Sequence, residues 1–217
     1  MNDNIYIPLK KEFISNLDLY IKDKWKYIHI LLELTRQALL LKADTNNVNV
    51  LPYLYLQKKK NAYRIFLFLE NNEKKEKKYV SFNFPFELTY DNKNNKIESL
   101  TFNFNSKQYP INFTEISGIL GIVKSKKNDN SFVNVVIDAD TYNLVEILDG
   151  LLQIEPGYIR YDEDKENENK NKHPRYHLDV NFSHTATFKQ GVTKELATKE
   201  FEDIFEDNTD CWFLKKL

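Results

Sequence analysis

The sequence predicts an α+β fold, in which an N-terminal helical segment packs on an antiparallel sheet and further helices cover it. Changes of period carry this expectation. From about Leu9 to Lys42 apolar residues recur every three or four positions, the spacing of a helix face. From Val50 to Phe104 they alternate every two, the spacing of strands, and helical spacing returns near Thr114 and again after Asp140.

The helical segment holds Ile14, Leu17, Ile21, Trp25, Ile28 and Leu32 on one stripe. IHILLELTRQALLL is apolar over more than one face, which predicts a helix gripped on two sides, or two helices broken near Asp23. His29 within it reads as a boundary residue. Asp44 to Asn49 end the segment with turn formers. Four strands follow in NVLPYLYLQ, AYRIFLFLE, KYVSFNFPFEL and IESLTFNFN, joined by the polar links QKKKN, NNEKKEK and DNKNNK. Short links between sequential strands favour an antiparallel meander. Phe82, Phe84 and Phe86 share one face, the pattern of a buried sheet surface rather than of a base-stacking platform.

A helix is expected to open at Thr114 in INFTEISGILGIV, a strand at SFVNVVID, and a helix at ADTYNLVEILDGLL with Leu144, Ile147, Leu148 and Leu151 on one face. Gly118 and Gly121 match neither a dinucleotide fingerprint nor a phosphate loop, and no complete cofactor motif is present. Asp138, Asp140, Glu146 and Asp149 lack the spacing of a calcium loop. GYIRYD and RYHLDVNF read as strands flanking an exposed charged loop at 163–174, whose DKENENKNK core has no apolar side chain. VTKELATKEFEDIFED reads as a helix capped by Thr193, with Leu196, Phe201, Ile204 and Phe205 on its face, and CWFLKKL as a final packed strand. A single domain over 1–217 is expected, because no linker precedes residue 163; a cut near Pro110 into two small lobes is the alternative.

Composition limits function more than it assigns it. The formal net charge of −1, from 31 basic and 32 acidic side chains, supplies no global field toward nucleic acid or anionic membrane. A nucleic-acid contact would need local patches, of which Lys58–Lys60 and Lys74–Lys78 are the candidates. One cysteine, Cys211, excludes an internal disulfide and Cys-only zinc knuckles. No apolar run approaches the roughly 18 residues of a membrane span, and MNDNIYIPLKKEF lacks a signal-peptide core, so a cytoplasmic protein with no membrane partner is expected.

The candidate site lies in HPRYHLDVNFSHTATF, which holds three of the four histidines. In RYHLDVNF the alternation sends Tyr176, Leu178, Val180 and Phe182 one way and Arg175, His177, Asp179 and Asn181 the other. If this strand pairs with GYIRYD, Arg160 and Asp162 join the same polar face. His177 and Asp179 have Cα atoms roughly 6 to 7 Å apart on one strand, a separation that suits two metal ligands or a histidine oriented by a carboxylate. Asp162 is the best third carboxylate, giving Asp162, His177 and Asp179 as the catalytic and metal-ligating candidates. Arg160, Arg175, His173 and His184 are the candidates for binding a partner or anion. His173 would lie about 13 Å from His177 on an extended chain and can join only if the chain bends at Pro174.

IRYD (159–162), HPRYHLDV (173–180) and TFKQG (187–191) together resemble a pattern in small uncharacterised prokaryotic proteins, some encoded near defence genes. Those families often carry another histidine where this chain has Asp179. The resemblance implies a role in antiviral defence and supplies no chemistry. Two functional expectations follow. The leading one is a non-catalytic recognition or accessory protein acting with a protein partner through the exposed polar hairpin. The other is a divalent-metal-dependent hydrolase or nuclease using the Asp162, His177 and Asp179 face, with Arg160 or Arg175 compensating phosphate charge.

Overall fold

The computed structural model of the chain describes residues 4–44, 50–60, 62–71, 73–128, 139–169, 172–183, 186–206 and 208–210. The strand expected at 131–138, His184, and the terminal segment with Cys211 lie outside those residues. The fold is α+β, as the periods predict, with helices packed against antiparallel sheets.

The chain opens with strand β1 (Ile5–Pro8), a short helix α1 (Lys11–Ser15) and the long helix α2 (Lys24–Leu40). The break predicted near Asp23 is real: its side chain accepts from the Lys26 amide at 2.8 Å and caps α2. The strand in IYIP was not foreseen. Ile5 and Ile7 are buried against the core, and the segment pairs with β2 (Tyr53–Lys59). β3 (Ala62–Glu70) and β4 (Lys77–Phe84) continue the meander.

The meander stops at Pro85, where the sequence suggested one strand through SFNFPFEL. Proline has no N–H to extend a ladder. β5 (Phe86–Asp91) therefore begins a second sheet with β6 (Lys96–Phe104) and β7 (Lys107–Ile111). α3 (Phe113–Asn128) and α4 (Ala139–Gln153) follow. α3 is capped two residues earlier than expected: Asn112 Oδ1 accepts from the Thr114 amide at 2.7 Å, and Glu115 reaches back to the Asn112 amide at 3.0 Å.

The free edge of β4 is then taken by β8 (Ile159–Glu163), followed by β9 (Tyr176–Val180) and β10 (Phe188–Gly191). The large sheet has the order β1-β2-β3-β4-β8-β9-β10, all antiparallel. The last helix, α5 (Thr198–Asp203), starts five residues after Thr193, with Glu200 bonded to the Ala197 amide at 2.8 Å.

Each face of the large sheet has its own apolar cluster. One cluster joins Leu54, Leu56, Ile65, Leu67, Val80 and Phe82 to α2, α3 and α4, and includes residues on both sides of Pro110. α2 is buried on more than one side because it touches α3, α4 and β6 while Tyr27 packs edge-on against Phe82. The opposite face carries Tyr53, Tyr55, Phe66, Phe68, Tyr79, Tyr161 and Leu178 under Leu196 and Phe201. Burying aliphatic area on one face and aromatic area on the other is what holds the seven-stranded sheet to its helices, at about 1.5–3 kcal/mol per fully buried side chain.

Candidate metal centre

Register places the candidate residues. β8 and β9 pair antiparallel, with Arg160 opposite Asp179 and Asp162 opposite His177. β10 adds Lys189 opposite Asp179 and Gly191 opposite His177. On the other side β4 sets Lys78 opposite Asp162. Alternation therefore directs Lys78, Asp162, His177, Arg160, Asp179 and Lys189 to one face, the one that carries Val80 and Phe82 further along.

The strand alternation predicted for RYHLDV holds as far as Val180. It fails at Asn181, whose φ of +61° is left-handed, a region asparagine tolerates better than most residues. The kink turns Phe182 across to Tyr27 and Tyr158, away from Leu178.

Asp162, His177 and Asp179 are only 7%, 1% and 6% exposed, and one donor atom from each lies within 4.8 Å of the others. The histidine is oriented from behind. Its Nδ1 stands 2.8 Å from the Pro174 carbonyl, which can only accept, so Nδ1 carries the proton and Nε2 presents a lone pair to the cluster. Burial, with the Lys189 charge beside it, pushes the His177 pKa below its ordinary value despite the Pro174 bond and the two aspartates. Neutral imidazole is the form that ligates. Gly191 matters here: a Cβ would meet the Pro174 ring at 3.0 Å, so the glycine leaves room for the turn that holds His177.

The carboxylates share one guanidinium. Arg160 Nε donates to Asp162 Oδ2 at 2.6 Å, and its terminal nitrogen donates to Asp179 Oδ2. Although burial lowers the Arg160 pKa, Asp162, Tyr158 and Asp179 together raise it above its ordinary value. Lys189 Nζ donates to Asp179 Oδ1 at 2.8 Å and to His177 Nε2 at 3.0 Å. Asp162 Oδ1 is buried and accepts no hydrogen bond; the Lys78 ammonium stands 3.6 Å away. An uncompensated buried carboxylate oxygen is costly unless something cationic completes it.

Of the other sequence candidates, Arg160 joins the cluster, and Arg175 and His173 lie beside it. Arg175 pairs with Glu163 at 2.7 Å, and Arg160, which lines a cleft beside Asp162, gives its Nε and one terminal nitrogen to the two aspartates. His173 does come back, because Asn169 and His173 exchange backbone bonds and bend the chain before Pro174. Its ring lies edge-on to His177 with centroids 4.6 Å apart, but its Nε2 meets Asp164 Oδ2 at 3.1 Å, so it supports His177 and adds no ligand.

The exposed loop expected at 163–174 is shorter than that: Glu163 is buried at the end of β8. Burial pushes its pKa up, but Arg175, the Lys77 amide and Lys165 bring it below the ordinary value. Two cations were missed. Lys78 looked like an ordinary hairpin lysine, and Lys189 sits in FKQG, too short to show a period.

Asp162 and Arg160 also line a cleft of about 780 Å³, walled by α1 through Lys11, Glu12 and Ser15 and by Glu70, Asn71 and Lys78. The lysine patches proposed for nucleic acid are engaged within the chain: Lys59 with Glu206, Lys74 with Glu166, Lys77 with Glu195 and Lys78 with Asp162. Among the described residues no helix is long and apolar enough to cross a membrane.

This geometry overturns the expectation of a non-catalytic accessory protein. That expectation rested on an exposed polar hairpin, whereas the polar groups of β8 and β9 are buried and converge as a set of metal-ligating atoms. The chain matches no protein-family model, no curated protein and no solved structure.

Proposed function

We propose that the protein is a divalent-metal-dependent hydrolase whose centre is formed by Asp162, His177 and Asp179. The observation that carries this reading is the convergence of one imidazole Nε2 and two carboxylates, from adjacent strands, inside 4.8 Å. Asp162 Oδ1, buried without a hydrogen bond and with Lys78 no nearer than 3.6 Å, supports it independently. One nitrogen and two oxygen donors suit zinc or manganese, and three protein ligands leave positions open for water and substrate.

A bound divalent cation supplies a Lewis acid and lowers the pKa of its water. The chain's residues do the rest. Pro174 fixes the imidazole tautomer, Arg160 braces both carboxylates through their Oδ2 atoms, and the cleft beside Asp162 admits the substrate. A phosphodiester is the substrate class this centre suits, with Lys11, Lys77 and Lys78 on the cleft wall to meet its charge. A place in prokaryotic defence is part of this proposal through the resemblance of 159–162 and 173–191 alone.

Manganese and zinc titrations of the wild-type protein and His177→Ala, followed by calorimetry, are the first test. Wild type is expected to bind at or below millimolar metal and His177→Ala to lose binding while keeping a cooperative urea transition. Hydrolysis of a panel of nucleic acids and nucleotides should then appear with metal and vanish in the variant. A folded wild-type protein that takes up neither metal at millimolar concentration ends this reading.

A further inference from the structure

Resting on the metal reading, we infer that Lys189 is a built-in cation that holds the metal position and is exchanged for the divalent ion. Three features point to it. Its ammonium already bonds the two donors that would ligate metal, His177 Nε2 and Asp179 Oδ1. It comes from β10, the last strand in the sheet order, and its side chain is 35% exposed, against 15% for Arg160. A long flexible stem on an edge strand can swing into solvent without moving the backbone, whereas the guanidinium clamped between two aspartates cannot.

Charge and size give the exchange its direction. Asp162 and Asp179 face Arg160, Lys189 and, at 3.6 Å from Asp162, the half-exposed Lys78. Removing the Lys189 ammonium leaves Asp179 Oδ1 and the His177 Nε2 lone pair without their donor in a buried site, and a divalent ion restores that contact. An ammonium keeps its donors 2.8 and 3.0 Å away here, while metal–ligand bonds are about 2.0–2.2 Å. Exchange therefore draws His177 and Asp179 inward, toward the Asp162 carboxylate, whose Oδ2 stands 3.8 Å from His177 Nε2. The site would be folded without metal and would switch on only when metal outcompetes Lys189.

Two measurements test this on the intact chain. Lys189→Met keeps the length of the stem and removes the charge, and should bind manganese at least about tenfold more tightly than wild type, the factor that ~1.4 kcal/mol represents. In wild type, an amine-acylating reagent read by mass spectrometry should modify Lys189 several-fold faster when manganese is added. Lys194, which is exposed and pairs with Glu200 away from the cluster, should not change.

Tighter binding by the variant together with metal-dependent labelling establishes the exchange. Equal or weaker binding by Lys189→Met, or labelling of Lys189 that metal leaves unchanged or slows, overturns it while the metal centre stands. Binding by Lys189→Met alone overturns the exchange, because wild type then takes up no metal, and ends the metal reading of the wild-type chain with it. Binding by neither protein overturns both the exchange and the metal centre.

Discussion

Two arginines are half-buried in the large sheet, and their surroundings differ in one respect that decides what each can do. Arg64, on β3, gives its donors to neutral acceptors: Ser81 Oγ at 2.7 Å, Asn83 Oδ1 at 3.0 Å and the Gly157 carbonyl, with its plane 3.8 Å from the Phe205 ring centre. Burial lowers its pKa to about 10. Arg160, on β8, faces two carboxylates that raise its pKa instead. Around Arg64 every acceptor is a neutral dipole, so nothing there attracts a cation. Around Arg160 there are four carboxylate oxygens; the guanidinium takes two, Lys189 a third, and Asp162 Oδ1 is left over. The first arginine ties strands together, and the second holds open a place for charge.

The largest break in this comparison is Arg160→Met. Removing one member of a buried ion pair typically costs about 3–5 kcal/mol, because the remaining charge stays buried. Urea unfolding at neutral pH should show a loss of that size, and millimolar manganese should recover part of it by supplying the missing positive charge. A loss below about 1 kcal/mol, or no response to metal, would show that the two aspartates do not depend on a cation between them.

Arg64→Met should cost less, about 1–3 kcal/mol, the penalty for leaving buried acceptors unsatisfied. Asn83 Oδ1 and the Gly157 carbonyl lose their donor, whereas Ser81 Oγ still donates to the Ile65 carbonyl. Divalent metal should give no recovery, since no charge is missing. Recovery equal to that of Arg160→Met would mean that the metal acts somewhere other than the Arg160 cluster.

The contrast between the two arginines was only half legible in the sequence. Asp162, His177 and Asp179 could be found because RYHLDV alternates cleanly and the link back to IRYD is polar, so one antiparallel pairing put all three on one face. Arg64 gave no signal, because its partners on β4 and at Gly157 are distant in sequence and none is charged. Lys189 was hidden for a related reason: a four-residue strand has no measurable period, and its place beside β9 is set by tertiary pairing. Pro85 was visible but was passed over, since Phe82, Phe84 and Phe86 keep their alternation through it. The aromatic pattern reports burial, which all three share, and not the ladder, which the proline interrupts. Exposure was the least legible property: a strand face of Arg, His and Asp looks solvated until the neighbouring strands close over it.

The smallest effect concerns a buried carboxylate with no buried cation beside it. Glu202, on α5, is 4% exposed, and its partner Lys199 reaches it only at 3.5 Å from a largely solvated side chain. Burial raises its pKa above the ordinary 4.5; Lys199 opposes this, and Asp203 and Glu206 add to it. A carboxyl whose folded pKa is raised stabilises the fold when protonated. That contribution is complete below about pH 4.5 and is lost as pH rises through the folded pKa. Glu202→Gln keeps the shape and removes the titration. The variant should gain about a few tenths of a kcal/mol at pH 7, a small sum because the ion pair it gives up is solvent-screened. Its stability should also fall less than that of wild type as pH rises from 4.5 to 7. Urea midpoints across that range decide it: a steeper fall in the variant, or a net loss at pH 7, would mean that Lys199 compensates Glu202 as fully as Arg160 compensates the aspartates.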